Sequence, residues 1–349
     1  MKKIFLLASI ALISCGQAQT PAKASAAAKG KNTKVVIGFW NVENLYDTIN
    51  DPKIDDEEFL PSAKSKWNSE RYAKKQLNIS TIISNMGVDE NKDGLAILGL
   101  AEIENKAVLE DLVKTPALKS RKYGIVHHNS PDHRGIDVAM LYNPKYFKLI
   151  SSSVHTVKLP GDSARPTRDE LLVNGKLNGE LVHILVCHWP SRRGGDAESN
   201  PLRVAAATVA KGIVDSIRKA EKNPRIIIMG DLNDDPTNES VKAVINTSGD
   251  AAGTNAATMY DPMEKILADG QGTLSFKGKW NLFDQIIMTE AFTKQGKNNL
   301  TFKYAKVNNV PEVCETNEKY KGQPLRTYVG AKYLGGYSDH FGVYAVFGK

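Results

Sequence analysis

Cysteine is scarce: only Cys15, Cys187 and Cys314 occur in 349 residues, which excludes a disulfide framework. Beyond Cys15 a single bridge is possible, but Cys187 inside the apolar run LVHILVC reads more simply as a small core residue. Long apolar runs are missing as well. The stretch Ile4 to Ile13 is too short to span a bilayer as a helix. No internal repeat appears, and no composition break follows residue 33, which points to one domain. Charge of either sign is moderate at 24% of residues, with a formal net charge of +7. Together with 41% hydrophobic residues, this excludes a mostly disordered or membrane-embedded chain and allows a sizeable core.

The first residues read as a targeting segment. Lys2 and Lys3 supply a basic start, Ile4 to Ile13 an apolar stretch, and Leu12-Ile13-Ser14-Cys15 puts a cysteine directly after a small residue. This resembles a bacterial lipoprotein signal, which implies cleavage after residue 14 and a lipidated Cys15. An ordinary secretory signal is the alternative, and either implies export. Loss of Lys2 and Lys3 would lower the net charge from +7 to +5, a balance compatible with an anionic substrate. Residues 15–32 are rich in Ala, Lys, Gln and Thr without apolar period and read as a flexible tether, so the folded part is expected over 33–349.

Within the folded part, strands are expected at Lys34 to Trp40, Leu95 to Leu100, Gly124 to His128, Ile136 to Tyr142, Val154 to Leu159, Glu170 to Val173 and Leu181 to Cys187. Val173-Asn174-Gly175-Lys176 carries a hairpin-turn signal. Helices are expected from Glu70 to Met86, with Leu77, Ile82, Ile83 and Met86 on one face, and from Leu202 to Ala220. Next comes Arg225 to Pro236, RIIIMGDLNDDP, a doubly buried strand that Gly230 lets turn at its end. Asp231 and Asn233, two apart on extended backbone, would face one polar site; an Asx-rich turn is the alternative. A short helix at Glu239 to Ile245 and strands near 273–276, 282–288, 302–305 and 341–347 complete the chain. Two sheets flanked by helices follow from this order.

Five strands end in groups suited to metal or phosphate: Asn41 with Glu43, Glu102, His188, Asp231 with Asn233, and Ser338-Asp339-His340 before the last strand. Singly, each has a bland reading as a solvated carboxylate, a turn residue or a core histidine. What they share is position, because strand ends are where α/β folds gather their sites.

The segments FWNVEN, GLAEIEN, IDVAMLYNP, HWPSR, GDLNDDP, WNLFDQII and GYSDHFGVYAVF resemble the ordered motifs of the endonuclease/exonuclease/phosphatase superfamily, over about residues 35 to 347. The resemblance implies a four-layer α/β/β/α sandwich of two mixed, mostly antiparallel sheets. It implies metal-dependent hydrolysis of a phosphate ester by in-line attack of water. A divalent cation, Mg2+ or Mn2+, would sit on Glu102, with Asn41 nearby and Asp339 as a further or alternative ligand; such hard cations take oxygen donors. Glu43 is an additional candidate, with a solvent-facing carboxylate as its alternative. Asp231 matches the residue that activates the water and Asn233 one that holds phosphate or water. His188 and His340 match the pair on the non-bridging oxygens, and Asp284 the carboxylate that orients His340. Arg134 and Asp137 flank the site in this motif order, either as phosphate contacts or as a structural pair. Arg192 and Arg193, after His188, are candidates for the backbone phosphates of a polymer.

The substrate is less legible. Asp234-Asp235-Pro236 and Lys279 to Asp284 depart from the inositol-phosphate 5-phosphatase signature. The basic balance, export signal and paired arginines favour an exported nuclease of DNA or RNA, lipid-anchored at the cell envelope. A sphingomyelinase-type phospholipid phosphodiesterase, or another phosphatase of the superfamily, is the alternative, with Phe59-Leu60-Pro61 and 321–337 as candidate lipid contacts. A non-catalytic surface binding module is a third reading.

Overall fold

A computed structural model describes residues 34–161, 166–294 and 299–349. The expected signal segment 1–14, Cys15 and the tether 15–32 lie outside the described residues. β1 (Val35–Leu45) is apolar on both faces, and every residue but Asn44 is buried. Helix α1 (Ser69–Asn85) follows, capped by Asn68, whose side chain accepts from Arg71 N at 3.0 Å. Its buried face carries Ile79, Ile82 and Ile83, whereas Leu77, expected with them, is 48% exposed because it falls on the next helical row. β2 (Leu95–Ile103), α2 (Lys106–Lys114), β3 (Gly124–His127) and β4 (Asp137–Tyr142) continue the first half.

β5 (Phe147–His155), β6 (Glu170–Leu177) and β7 (Glu180–His188) form an antiparallel meander. Here two expectations fail. The strand expected at 154–159 ends at His155 and begins eight residues earlier. Asn174-Gly175 is not the hairpin turn; both lie inside β6, and the turn is Asn178-Gly179, with φ of 48° and 89°. Gly175 serves packing instead, since a Cβ there would stand 2.1 Å from the Phe147 ring. α3 (Asp196–Ala220) starts a turn and a half before its expected Leu202, with Pro201 in its early turns, and leads to β8 (Ile226–Asp231). Gly230 is a strand residue opposite Gln285 and Cys187 rather than a turn; a Cβ there would meet the Cys187 carbonyl oxygen at 2.3 Å.

A π-helical turn at Ser240–Asn246 replaces the expected short α-helix. Then come β9 (Thr247–Ser248), β10 (Met259–Tyr260), α4 (Met263–Ala268), β11 (Leu274–Phe276), β12 (Lys279–Asn281), β13 (Asp284–Thr289) and β14 (Thr301–Asn308). β15 (Tyr328–Val329) and β16 (Lys332–Tyr333) form a small hairpin, and β17 (Gly342–Gly348) closes the chain.

The main sheets run β14-β17-β1-β2-β4-β3 and β5-β6-β7-β8-β13-β10-β9. Only the β1–β2, β7–β8 and β9–β10 pairs are parallel. The sheets face each other through β1, β2, β8 and β13, and one continuous core joins their inner faces to α1 and α2. A second core holds α3 against the outer face of β7 and β8. These are the four layers α/β/β/α. Among the described residues no helix is long and apolar enough to cross a membrane.

The pairing explains why polar groups converge. β1 and β2 are parallel, so their C-terminal ends share one rim, and antiparallel β17 begins there. In the other sheet β7 and β8 end at the same level where β13 begins, with His188 opposite Asp231 and Asp231 opposite Asp284.

Candidate active site

Asp231 is the centre of this rim. It is 2% exposed, and its Oδ2 accepts from Asn41 Nδ2 at 2.9 Å and lies 3.6 Å from His188 Nε2 and 3.8 Å from His340 Nε2. Its Oδ1 accepts from Asn233 N at 3.0 Å, so the backbone turns at once after the strand. Asn233 adopts a φ of 50°, not the extended conformation expected, and its side chain donates to the Trp189 carbonyl at 3.0 Å. Burial pushes the Asp231 carboxyl up to about 6, against the lowering effect of the imidazole of His340.

The surroundings push the proton affinities of the two histidines in opposite directions. His340 Nδ1 donates to Asp284 Oδ2 at 2.7 Å, and Asp284 is fully buried. Burial alone would lower the proton affinity of His340, but Asp284 and Asp231 outweigh it and hold the ring well above its ordinary range. His188 is held well below that range by burial, then by Arg168 and Arg134. Its Nδ1 is buried without a partner. Arg168 fixes the backbone on either side of this ring, donating to the carbonyls of His188 at 3.2 Å and Trp189 at 2.6 Å.

On the opposite sheet the carboxylates gather. Glu102 sits at a register shift of β2 with a φ of 63°, and such a bulge re-aims a side chain out of the ladder. Its oxygens accept from Asn44 N at 2.8 Å and Asn41 Nδ2 at 3.3 Å, and no cationic side chain among the described residues pairs with it. Glu43 and Asn44 both have a φ of 53°, which costs ~1–3 kcal/mol for each such residue where the surroundings enforce it. Burial, then the nearby Asp339, raises Glu43 to about 7. Its Oε2 accepts from Thr327 N at 2.6 Å and lies 3.8 Å from the buried Lys75 Nζ.

Asp339 lies 2.5 Å from Arg326 Nη2; burial works against ionisation, but His340, Arg326 and Lys75 prevail and keep it below the usual range. Ser338 ties this segment to β1, donating from Oγ to the Asn41 carbonyl at 2.6 Å.

Glu102, Asp339 and Glu43 offer the oxygen donors that a hard divalent cation takes, but among the described residues their ligating atoms are not gathered within 4.8 Å of one another. Glu102 fits best, because Arg326 and Lys75 already face the other two. The alternative cluster of Asp231, Asp284 and His340, with ligating atoms within 4.8 Å, has its imidazole committed to Asp284. Asn41 turns its NH2 toward Glu102 and Asp231 and accepts from Glu43 N at 3.0 Å, bridging the two sheets.

The remaining candidates separate. Arg134 stands at the rim, donating to Asn44 Oδ1 at 2.8 Å. Asp137 does not pair with Arg134; at the start of β4, opposite Ile103, it binds His127 Nε2 at 2.9 Å and Ser130 N at 2.8 Å. Arg192 is no free phosphate contact: it donates to the Asn233 carbonyl at 2.9 Å and to Asp234 Oδ1 at 3.0 Å, and lies over the Phe283 ring. Arg193 is exposed. Cys187 and Cys314 are both free thiols, so the possible bridge is not formed. Phe59 is half-buried and stacked on Tyr46 with ring centroids 4.0 Å apart.

Sequence reading missed Lys75, Arg168, Arg203 and Arg326, each far in sequence from the carbonyl or carboxylate it holds. Arg203 is fully buried, with Nε 2.7 Å from Asp234 Oδ1, and anchors α3 to the loop after β8. The only signal for it was an arginine interrupting the apolar face of a predicted helix.

A family model described as Endonuclease/Exonuclease/phosphatase family matches residues 36–349. No curated protein matches the sequence. Among solved structures, truncated TDP2 of Caenorhabditis elegans is 18% identical with a TM-score of 0.55, covering 90% of this chain and 98% of that one. TDP2 of D. rerio, complexed with single strand DNA product, is 16% identical with a TM-score of 0.54, covering 91% and 100%. The mannosyl-6-phosphatase of Bacteroides thetaiotaomicron is 16% identical with a TM-score of 0.53, covering 90% and 99%. At such identities the likeness is one of fold.

Proposed function

This chain belongs to the endonuclease/exonuclease/phosphatase family and is a divalent-metal-dependent phosphoester hydrolase, and from that premise we propose that it is an exported nuclease acting on DNA or RNA. The observation that carries the chemistry is Asp231 Oδ2 within 4 Å of both His188 Nε2 and His340 Nε2.

In this reading Asp231 accepts the proton of the attacking water. With its affinity raised to about 6, it is ionised at neutral pH yet basic enough to take that proton. His340, kept protonated by Asp284, donates a charge-assisted hydrogen bond to a non-bridging phosphate oxygen. Neutral His188 supplies a second, uncharged donor from Nε2. Asn233 and Asn41 hold Asp231 in place through its two oxygens. Glu102 would hold the metal, with Asp339 and Glu43 as further ligands; a bound Mg2+ or Mn2+ supplies Lewis-acid polarisation of the phosphoryl oxygen and charge neutralisation on the leaving oxygen.

The nucleic-acid substrate is supported by a net charge that stays at +5 after loss of Lys2 and Lys3 from the +7 of the full chain, by Arg134 at the rim, and by the single strand DNA product in the D. rerio TDP2 structure. Export and lipid anchoring at the envelope rest on Lys2, Lys3, the apolar stretch and Ser14-Cys15. Cys15→Ser should release the protein from the membrane fraction; unchanged membrane retention would rule the anchor out.

A cavity of about 570 Å³ beside Glu43, walled by Phe59, Trp67, Arg134 and Tyr328, favours a second reading as a phosphatase of small esters. The mannosyl-6-phosphatase among the fold relatives is in line with it. A panel of single- and double-stranded DNA, RNA, sphingomyelin and sugar phosphates, with Mg2+ or EDTA, separates them. Metal-dependent cleavage of DNA or RNA is expected. Turnover of a phosphomonoester or sphingomyelin alone would overturn the nuclease assignment.

A further inference from the structure

Beside the metal-ligand rim lies a second groove of about 550 Å³, walled by the β11–β12 hairpin, the loop 315–324 and the outer side of the β15–β16 hairpin. Its charge is one-sided. Lys277, Lys319 and Lys332 line it, all exposed, and none pairs with a carboxylate among the described residues. The one acidic lining residue, Glu315, is turned into its own loop, its Oε1 accepting from Thr316 N and Asn317 N at 2.9 Å each. Tyr320 also lines the groove and is 43% exposed.

Arg326 also lines the groove, and its Nη2 lies 2.5 Å from Asp339 Oδ2, the residue before His340. The groove therefore shares Arg326 with the hydrolytic centre. Lysines without carboxylate partners beside an exposed aromatic ring are what a single strand needs, with cations for successive phosphates and a platform for a base; Lys319 Nζ lies 5.1 Å from the Tyr320 ring centroid, which leaves the opposite ring face for the base. Two apolar side chains also project here, Val329 in the groove lining at 48% exposure and Phe276 on the β11–β12 hairpin at 64%, which makes an anionic lipid surface the competing occupant.

We infer that this groove is a binding track for single-stranded nucleic acid, with Lys277, Lys319 and Lys332 on phosphates and Tyr320 stacked on a base, feeding the strand past Arg326 to the site. The inference rests on the nuclease reading and adds to it where the polymer lies. It makes single strands, longer than the hydrolysed bond requires, the preferred substrate.

The test uses the full chain and a fluorescein-labelled twelve-residue oligothymidylate, with EDTA present to stop turnover. In anisotropy titrations, Lys277→Ala/Lys319→Ala/Lys332→Ala should weaken binding by roughly tenfold or more and make the slope of log affinity against log salt shallower by roughly 2. Tyr320→Ala should weaken it by roughly 5- to 100-fold with the salt slope unchanged. With Mg2+, KM for the twelve-mer should rise at constant kcat, while hydrolysis of bis-p-nitrophenyl phosphate stays at the parent rate. Wild-type affinity in both variants, or equal losses on the small ester, would overturn the inference. So would loss of binding to phosphatidylglycerol vesicles with oligonucleotide binding intact, which would make the groove a membrane contact. If the parent protein hydrolyses the small ester but no nucleic acid, the nuclease reading itself fails. If it cuts DNA and the variants bind like the parent, only the groove inference does.

Discussion

Replacing Asp231 by Asn should abolish activity and stabilise the fold at the same time. In the folded protein this carboxyl ionises at about 6, against 3.8 for its ordinary value, chiefly because it is buried. A raised carboxyl affinity means the native state holds its proton more tightly than the unfolded chain. Stability on this account is greatest below about pH 4, falls as pH rises through the interval from 3.8 to about 6, and stays reduced above it. The interval of about two units corresponds to about 3 kcal/mol. Asn is isosteric and uncharged, and its oxygen can still accept from Asn41 or Asn233. The variant should therefore be more stable than the parent by up to ~3 kcal/mol at pH 8, with little difference at pH 4. Urea unfolding followed by circular dichroism, in EDTA so that metal binding does not enter, measures this directly. On bis-p-nitrophenyl phosphate with Mg2+, the same variant should lose at least ~100-fold in kcat. For the parent, kcat/KM should fall below an acid limb near 6, where Asp231 becomes protonated. A variant that is less stable than the parent at pH 8, or that keeps activity within tenfold, would refute the assignment of Asp231 as a buried base.

His340→Ala should also cost at least ~100-fold in turnover, because it removes the charged donor that Asp284 orients; a loss confined to KM would place it in binding alone. Glu102→Gln should abolish the rise in melting temperature that Mg2+ gives the parent protein, read by differential scanning calorimetry; an undiminished rise would move the metal to other ligands. Arg203→Met leaves Asp234 buried with Arg192 and Ser240 as remaining partners. It should destabilise by about 3 kcal/mol, the low end for breaking a buried pair, and adding Asp234→Leu should recover part of it. A change under 1 kcal/mol would show that α3 does not depend on this pair.

Much of the fold was legible in the sequence because period and composition are local. Continuously apolar runs such as IIIM and LAILGL announce strands covered on both faces, and polar residues at their ends announce a rim. Reading failed where two local signals compete. Asn174-Gly175 and Asn178-Gly179 are equally good turns by composition, and only the pairing of Gly175 with Leu149 and Val182 chooses between them. Leu77 and the start of α3 were misjudged because helix phase and helix starts depend on what the face packs against.

For the site, the sequence by itself determined the residue types and their places at strand ends, and with them the superfamily. Tertiary structure alone decided which groups touch. It joined Asp231 to Asn41 across two sheets, made His340 cationic and His188 neutral, and spent Arg192 on Asp234 and the Asn233 carbonyl instead of leaving it for substrate. The physical reason is range. Propensity and periodicity act within a few residues, whereas proton affinity and hydrogen-bond partnership depend on burial and on charges within a few ångströms, contributed by segments up to 300 positions apart, as Trp40 and His340 are.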